Sequence, residues 1–599
     1  MDYKTCPNLV AMFFEQAARH GDKPFLWAKR DGNWEAFTWR EAAARVSALA
    51  RGLKGLGIET GDRVVLVSEN RPEWLISDVA IMAAGAISVP AYVTNTVNDH
   101  LHIVENSGAK GAIVSTRKLS ENFLPAAHRA SQMKFVVTME PSDISQELST
   151  AVHAWEDVLA QSAGQGAGED DDIAAAAGTW KRDDTACIIY TSGTGGAPKG
   201  VMLHHGAIIH NCMGAYDALL ELGLGEEVFL SFLPLSHSYE HMAGQFFPIS
   251  LGAQIYYAEG IEALGSNMAE VRPTIMTAVP RLYETMHARI SRGVKVQGGI
   301  KEKLFMKALE LGRRRYENPD GLTFGERVTD AIVDRLVRDK VRGRFGGRLK
   351  ALVSGGAPLN PDIGIFFTAL GLCLLQGYGQ TESAPLISVN RPNKVKMHTV
   401  GPPVLEVEVK IAEDGEILAR GELVMQGYWR DPEATSQVIR DGWLHTGDIG
   451  VFDEDGYIQI TDRKKDIIVN SGGDNLSPQR VEGVLTLAPE IAQAMVFGDR
   501  RPYLVGMVVP EEDWVKEWSA ENGKPNDLAM LGGDEDFRKA VGAVVERVNE
   551  GLSTIEKVRH FMIASEPFTI ENEMLTPTIK IRRHKIIEAF GASLEALYG

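Results

Sequence analysis

YTSGTGGAPKG, residues 190–200, is the stretch from which the rest of the chain is read. It follows Ala186, Cys187, Ile188, Ile189 and Tyr190, an apolar run of the length of a buried strand. Thr191, Ser192 and Thr194 carry hydroxyls. Gly193, Gly195, Gly196 and Gly200 let backbone N–H groups approach oxygen atoms, and Lys199 adds a compact positive charge. Such a composition can hold phosphates. It is not the Walker loop, because Lys199 stands between Pro198 and Gly200, where that loop has Gly before the lysine and Ser or Thr after it. Taken alone, the stretch fits a phosphate loop and a flexible surface turn equally, and residues downstream decide between them.

Outward from this loop, strand-like runs alternate with helical ones. Residues 40–56 have helical spacing, RVVLVS at 63–68 reads as a strand, and AIMAAGAISVPAY reads as a helix feeding a short buried strand. GAIVST and KFVVTM are further strands, a rhythm that predicts parallel sheets covered by helices. Residues 161–172, Gly/Ala-rich and then acidic, predict an exposed loop. Beyond the phosphate loop, VFLSFLP, AQIYYA, TIMTAVP, KALVSGG and LCLLQGYG each end in Gly, Pro or Ser. Strands of this kind place the following loops on one sheet edge, where open α/β sheets bind ligands. The expectation is that the phosphate loop, SGGAP (354–358) and GYGQTE (377–382) share that edge. Residues 400–424 predict a small β-rich subdomain, and the last 130 or so residues have their own α+β pattern, which places a boundary at 462–465.

Composition narrows the classes. At 599 residues the chain is too long for a single core, and 44% hydrophobic with 24% charged residues is ordinary for a globular enzyme. No apolar run approaches the ~20 residues of a membrane span, and the start lacks a signal-peptide pattern, so a cytoplasmic chain is expected. Cys6, Cys187, Cys212 and Cys373 show no CxxC pairing, which predicts reduced, packed thiols and no thiolate zinc site. A net charge of −18 disfavours nucleic acid as a partner. Residues 289–350 run against this, with 17 Lys/Arg to 8 Asp/Glu, a local +9 on a remainder near −27. Peripheral contact of these helices with an anionic membrane surface is one expectation, with Leu304, Leu311, Ile332 and Leu336 as its apolar side; a helix packed on the main sheet has the same pattern.

With these motifs in this order, the chain resembles the adenylate-forming superfamily, and within it the long-chain acyl-CoA synthetase branch, from about Trp39 to Lys585. The resemblance implies an α/β protein of three parts. Residues 1–461 would be a large N-terminal adenylation domain of parallel and mixed sheets with a β-rich subdomain, 462–465 a hinge, and 466–599 a small mobile α+β domain. Thr191, Ser192, Gly193, Thr194, Gly195, Gly196 and Lys199 would hold the phosphates of ATP. Gly355, Gly356, Ala357 and Pro358 would form the adenine strip, and Gly377, Tyr378, Gly379 and Thr381 would hold nucleotide. Glu382 and Thr194 would bind Mg²⁺, Asp448 and Arg463 the ribose. Lys465 would be the pivot, Ser471, Gly472 and Gly473 would meet the pantetheine of coenzyme A, and Lys580 would be the catalytic lysine, with His237 near the substrate carboxylate. Gly195 departs from the family, which usually has Thr there, and removes one hydroxyl from the phosphate site.

The residue types suit the implied chemistry. A carboxylate becomes an acyl donor once its oxygen is a good leaving group, and attack on the α-phosphate of ATP with loss of pyrophosphate achieves this. In-line displacement at phosphorus needs positioning and charge neutralisation. Each assignment has a rival. Asp448 and Glu382 could be solvated turn acids, Lys580 part of an exposed basic strand with Arg582, Arg583 and Lys585, and Gly472–Gly473 only a turn. Met242, Phe246 and Phe247 could line an acyl tunnel or pack the core. LPLSHSYEH, residues 233–241, contains His237, Glu240 and His241 in the order H-x-x-E-H, which also occurs in zinc hydrolases. That reading, a non-catalytic binder of this fold, and a ligase for an aryl or short acid are the alternatives to fatty-acid activation.

Overall fold

The computed structural model describes residues 1–141, 150–163, 172–191, 197–472, 474–576 and 581–599. Two eight-stranded sheets organise the chain as far as Tyr428. In spatial order the first contains Leu386–Val389, Leu374–Gly379, Ala351–Ser354, Ile275–Ala278, Val228–Ser231, Gln254–Tyr257, Pro24–Arg30 and Asn33–Thr38. Its inner strands are parallel and its two outermost strands antiparallel. The second runs Gly427–Tyr428, Lys199–His204, Thr185–Thr191, Ile87–Ala91, Arg63–Val67, Gly111–Val114, Phe135–Thr138 and Ala151–Ala154. It is parallel from Thr185–Thr191 onward. Gly111–Val114 and Phe135–Thr138 are buried at every position, which is why they read as unbroken apolar runs instead of alternating ones.

Helices cover these sheets. Trp39–Gly55 starts at a capping box, in which Thr38 accepts from the Glu41 N–H and the Glu41 carboxylate accepts from the Thr38 N–H. The main core includes Phe13, Phe25, Trp39 and Trp74, almost wholly buried, each contributing ~1.5–3 kcal/mol through the apolar surface withdrawn from water. Strands Glu408–Ile411, Glu416–Arg420, Ile439–Arg440, Trp443–Phe452 and Ile458–Arg463 form the small β-rich sheet. The C-terminal segment has a three-stranded sheet, Ile491–Phe497, Leu504–Pro510 and Val558–Ile563, with helices around a core that includes Val481, Leu485, Val496, Leu504 and Phe537. All four cysteines are free; burial pushes the Cys6 and Cys373 thiols up to about 11. Among the described residues no helix is long and apolar enough to cross a membrane.

The basic segment is helical, as its spacing predicts: Gly299–Glu317, Phe324–Val333, a π-turn at Asp334–Arg338, and Asp339–Arg344. Arg338 is fully buried and ties this layer down, donating from Nε to the Ala369 carbonyl at 2.7 Å and from its terminal nitrogen to the Ala308 carbonyl at 2.8 Å. Three expectations need correction. Leu304 and Leu311 point into the seam between these helices with Leu322 and Val333, because the helices bury a stripe against each other. Residues 161–163 complete the helix Trp155–Ala163, and Asp172 opens the helix Asp172–Ala176, so the loop reading fails at both ends; residues 164–171 lie outside the described residues. The third concerns the phosphate-loop strand, which belongs to the second sheet, whereas SGGAP and GYGQTE follow strands of the first. Apolar runs of equal length carry no label for the sheet they join.

Candidate active site

The strand Thr185–Thr191 pairs antiparallel with Lys199–His204, Thr191 opposite Lys199, so the phosphate loop joins two arms of a hairpin. Ser192, Gly193, Thr194, Gly195 and Gly196 lie outside the described residues. The hairpin is braced from the helix Val97–Ser107: the Tyr190 hydroxyl donates to Asn106 Oδ1 at 2.6 Å, and His102 Nε2 lies 2.9 Å from the Pro198 carbonyl. Lys199 opens the second arm, its Nζ 3.8 Å from Asp431 and 5.1 Å above the ring of Tyr428. Tyr428 pairs with Val201 across the sheet and donates its hydroxyl to Glu382 Oε1 at 2.8 Å. Burial and the neighbouring Glu382 carboxylate both raise the pKa of this phenol well above its ordinary value, so it stays a donor. A basic group of one sheet and a carboxylate of the other are thereby joined through one aromatic ring.

Glu382 sits on the short turn Thr381–Ser383, directly after the strand Leu374–Gly379. The chain folds back so tightly there that a Cβ on Gly379 would stand 1.7 Å from the Pro385 carbonyl oxygen, so only glycine fits. The Met425 N–H donates to the Glu382 carbonyl, Asn211 Nδ2 donates to the Ser383 carbonyl, and Ser238 Oγ lies 3.0 Å from Thr381 Oγ1. SGGAP follows the adjacent parallel strand, Ser354 opposite Gln376, and this brings Gly355–Gly356 alongside Gly377–Gly379. Gly355 also lacks a Cβ for cause, since one would come 3.0 Å from the ring of Tyr239.

The third cluster joins Tyr378, Asp448 and Arg463. The Tyr378 hydroxyl donates to Asp448 Oδ2 at 2.7 Å, and Arg463 Nε lies 3.3 Å from Oδ1, with the last two residues paired across strands. Behind them, Glu416 accepts from the Gly447 N–H at 2.9 Å, contacts His445 Nδ1 at 3.2 Å and pairs with Lys464 at 3.0 Å. Burial raises the Glu416 pKa, but these donors outweigh it and hold the carboxyl below its ordinary value. Lys464 also reaches Asp414 at 2.6 Å, whereas Lys465 is exposed. Ser471 and Gly472 form an exposed turn closed by the Gly472 N–H donating to Asn470 Oδ1 at 2.9 Å; Gly473 and Lys580 lie outside the described residues.

The H-x-x-E-H run does not converge. His237 Nδ1 accepts from the Tyr239 N–H, Glu240 is sealed between the Ser231 and Thr277 hydroxyls at 2.6 Å each, and His241 faces Asp78 at 2.9 Å. Among the described residues no group of three or more His, Cys, Asp or Glu could hold a metal ion. Met242, Phe246 and Phe247 are buried in the main core. His204 caps the helix His205–Leu219, and His205 is buried.

A magnesium ion fits the set at Glu382. One carboxylate oxygen is taken by the Tyr428 hydroxyl, Lys199 stands over that ring, and a hard ion that draws few protein ligands would complete its shell with phosphate and water. The fold and these clusters define a nucleotide-handling α/β enzyme. The chain belongs to the AMP-binding enzyme family, whose model matches residues 13–429, with the AMP-binding enzyme C-terminal domain at 465–599. It is 34% identical to the long-chain-fatty-acid–CoA ligase FadD15 of Mycobacterium tuberculosis over 99% of this chain and 97% of the relative. To the peroxisomal long chain acyl-CoA synthetase 6 of Arabidopsis thaliana it is 32% identical, over 95% and 82%. In fold it is similar to the A domain of a carboxylic acid reductase from Segniliparus rugosus in complex with AMP and a co-purified carboxylic acid, with TM-score 0.77, 22% identity, and 99% and 94% coverage.

The sequence reading reached Lys199, Tyr378, Glu382, Asp448 and Arg463, which the fold gathers into these clusters. It missed Tyr428, Asp431, Glu416 and the bracing pair His102 and Asn106. The only available signal was GYW at 427–429, which has the spacing of a short strand and no mark of its partner.

Proposed function

We propose that this chain joins a long-chain fatty acid to coenzyme A through an acyl-adenylate. The carboxylate oxygen attacks the α-phosphate of ATP and pyrophosphate leaves; the coenzyme A sulfur then attacks the acyl carbon and AMP leaves. The observation that carries the reading is the likeness to long-chain-fatty-acid–CoA ligases over nearly the whole chain. The linked set Lys199, Tyr428 and Glu382 supports it, because phosphoryl chemistry rests on placing cations and ion ligands around the transferred group.

In this reading Lys199 and the loop at 191–196 hold the distal phosphates, and Gly355–Pro358 with Gly377–Thr381 take the base. Asp448 and Arg463 receive the ribose hydroxyls: a carboxylate has about four acceptor sites, so the bond from Tyr378 leaves capacity. Mg²⁺ on Glu382 and Thr194 would neutralise phosphate charge. Residues 1–461 act as the adenylation domain and 466–599 as a mobile domain turning at 462–465. The turn withdraws Lys580 and brings Ser471–Gly473 to the pantetheine. His237 stands near the fatty carboxylate.

Separating the half-reactions tests this. The ammonium of Lys580 stabilises charge that develops only in adenylation, so Lys580→Ala should lower pyrophosphate exchange into ATP by about 10²–10³. Conversion of preformed acyl-adenylate and coenzyme A to thioester should stay near the parent rate. Lys465→Pro should invert the pattern by fixing φ at the pivot. Equal loss of both half-reactions in a folded Lys580→Ala protein would overturn the two-position reading.

A further inference from the structure

The helix Phe324–Val333 and the turns after it carry apolar side chains on two faces. The inner face, Leu322, Val333 and Val337, packs against Ala308 and Leu311. The outer face is open to solvent among the described residues: Phe324 is 85% exposed, and Val328, Ile332 and Leu336 are 48%, 52% and 45% exposed. A surface helix with one satisfied apolar stripe has no structural need of a second. These four residues recur every fourth position, with Arg327 three beyond Phe324 and Arg335 three beyond Ile332, so apolar and cationic side chains share one face. The capping box of Thr323 and Glu326 fixes the start of the helix and holds Phe324 outward. The neighbouring helices add exposed Val296, Ile300 and Met306, whereas others, as at Tyr216, Ile261 and Met530, are scattered.

Charge selects the occupant. The acids of the outer helix and the turns after it are held by arginines of the layer: Glu326 by Arg314, Asp330 by Arg315, and Asp334 and Asp339 by Arg342. Lys301, Lys303, Arg327, Arg335, Lys340 and Arg344 are exposed and have no acidic partner among the described residues. The Gly299–Glu317 helix runs antiparallel to the outer one, Arg314 meeting Glu326 and Ala308 meeting Arg338, so Lys301 and Lys303 lie at the same end as Lys340 and Arg344. Two such basic faces repel each other, which disfavours a second copy. An acidic protein would satisfy the cations and leave the interleaved apolar stripe without purpose.

We propose that this outer face docks the enzyme on an anionic phospholipid surface, Phe324, Val328, Ile332 and Leu336 entering the boundary of the acyl chains while the lysines and arginines lie among the headgroups. The docking is independent of the ligase reading, and vesicle binding is measured without ATP, so either can fail alone. The full chain is sedimented with vesicles of phosphatidylcholine containing phosphatidylglycerol, and with phosphatidylcholine alone. Binding is expected only to the anionic vesicles, declining as salt rises. Phe324→Ser with Ile332→Ser should weaken it on the order of tenfold, and Arg335→Gln, a change that leaves the helix intact, about fivefold. AMP formation from a water-soluble acid should be unchanged in both. Three results would overturn the proposal: equal or absent binding to the two vesicle types, parental binding by both variants, or a vesicle-free dimer in sedimentation equilibrium that Phe324→Ser with Ile332→Ser dissociates.

Discussion

Glu240 and Glu382 lie on neighbouring short turns, linked through the contact of Ser238 with Thr381, yet their carboxylates are held in opposite ways. Glu240 is fully buried, both oxygens are bound by hydroxyls, and a side chain on Gly244 would collide with it at 2.2 Å. Burial pushes its pKa up to about 7 against the lowering effect of the two hydroxyls. Glu382 is only half-buried and accepts from Tyr428 on one oxygen. A carboxylate closed on all sides serves packing, and one with an oxygen turned outward serves a ligand.

The comparison breaks most readily at Glu382. Glu382→Ala should reduce pyrophosphate exchange by about 10²–10³ with the thermal midpoint little changed; a large loss of stability there would make it a structural acid like Glu240. Next in size, Glu240→Ala leaves two buried hydroxyls without their acceptor and should cost ~1–3 kcal/mol in urea unfolding, with activity retained in the folded fraction. Tyr428→Phe removes one donor to a charged acceptor. Its expected effect is a rise of about tenfold in the ATP Michaelis constant at limiting magnesium, with turnover near parental and Mn²⁺ affinity, read by paramagnetic resonance, shifted in parallel. An unshifted Mn²⁺ affinity would place Tyr428 outside the ion site.

The smallest effect is one of slope. Glutamate with an ordinary value of 4.5 in the unfolded chain and about 7 in the folded one leaves the folded chain holding the extra proton between those values. Stability is therefore lost as pH rises through that window and regained on acidification. Glu240→Gln, whose amide can still serve both hydroxyls, should flatten this component of the urea midpoint between pH 4.5 and 7. A variant as steep as the parent would assign the slope to other groups.

Much of the fold was legible because parallel strands buried on both faces leave long apolar runs, and because Gly-rich turns mark their ends. Lys199, Glu382, Asp448 and Arg463 were legible through local motifs. Tyr428 was not, since its role arises from the pairing of Gly427–Tyr428 with Lys199–His204, more than 220 positions earlier in the chain. The zinc-like spacing at His237, Glu240 and His241, an alternative in the sequence, builds no shared site among the described residues for a geometric reason. The helix Ser238–Glu240 passes at once into the π-helix His241–Phe246, whose wider turn sends neighbouring side chains to different partners. The hairpin at 24–38 escaped notice because it reaches the first sheet by pairing with Gln254–Tyr257, a long-range contact with no local sign.

Arg338 gives the basic layer a mechanical character. Its guanidinium is out of reach of solvent and grips the carbonyls of Ala308, in the helix Gly299–Glu317, and of Ala369, at the end of the helix Pro361–Ala369. Peeling the outer helix from the body would pull that guanidinium off both carbonyls, breaking two charge-assisted hydrogen bonds worth about 1.5–3 kcal/mol each. The layer therefore behaves as a keel, which cannot turn without turning the hull it is fixed to.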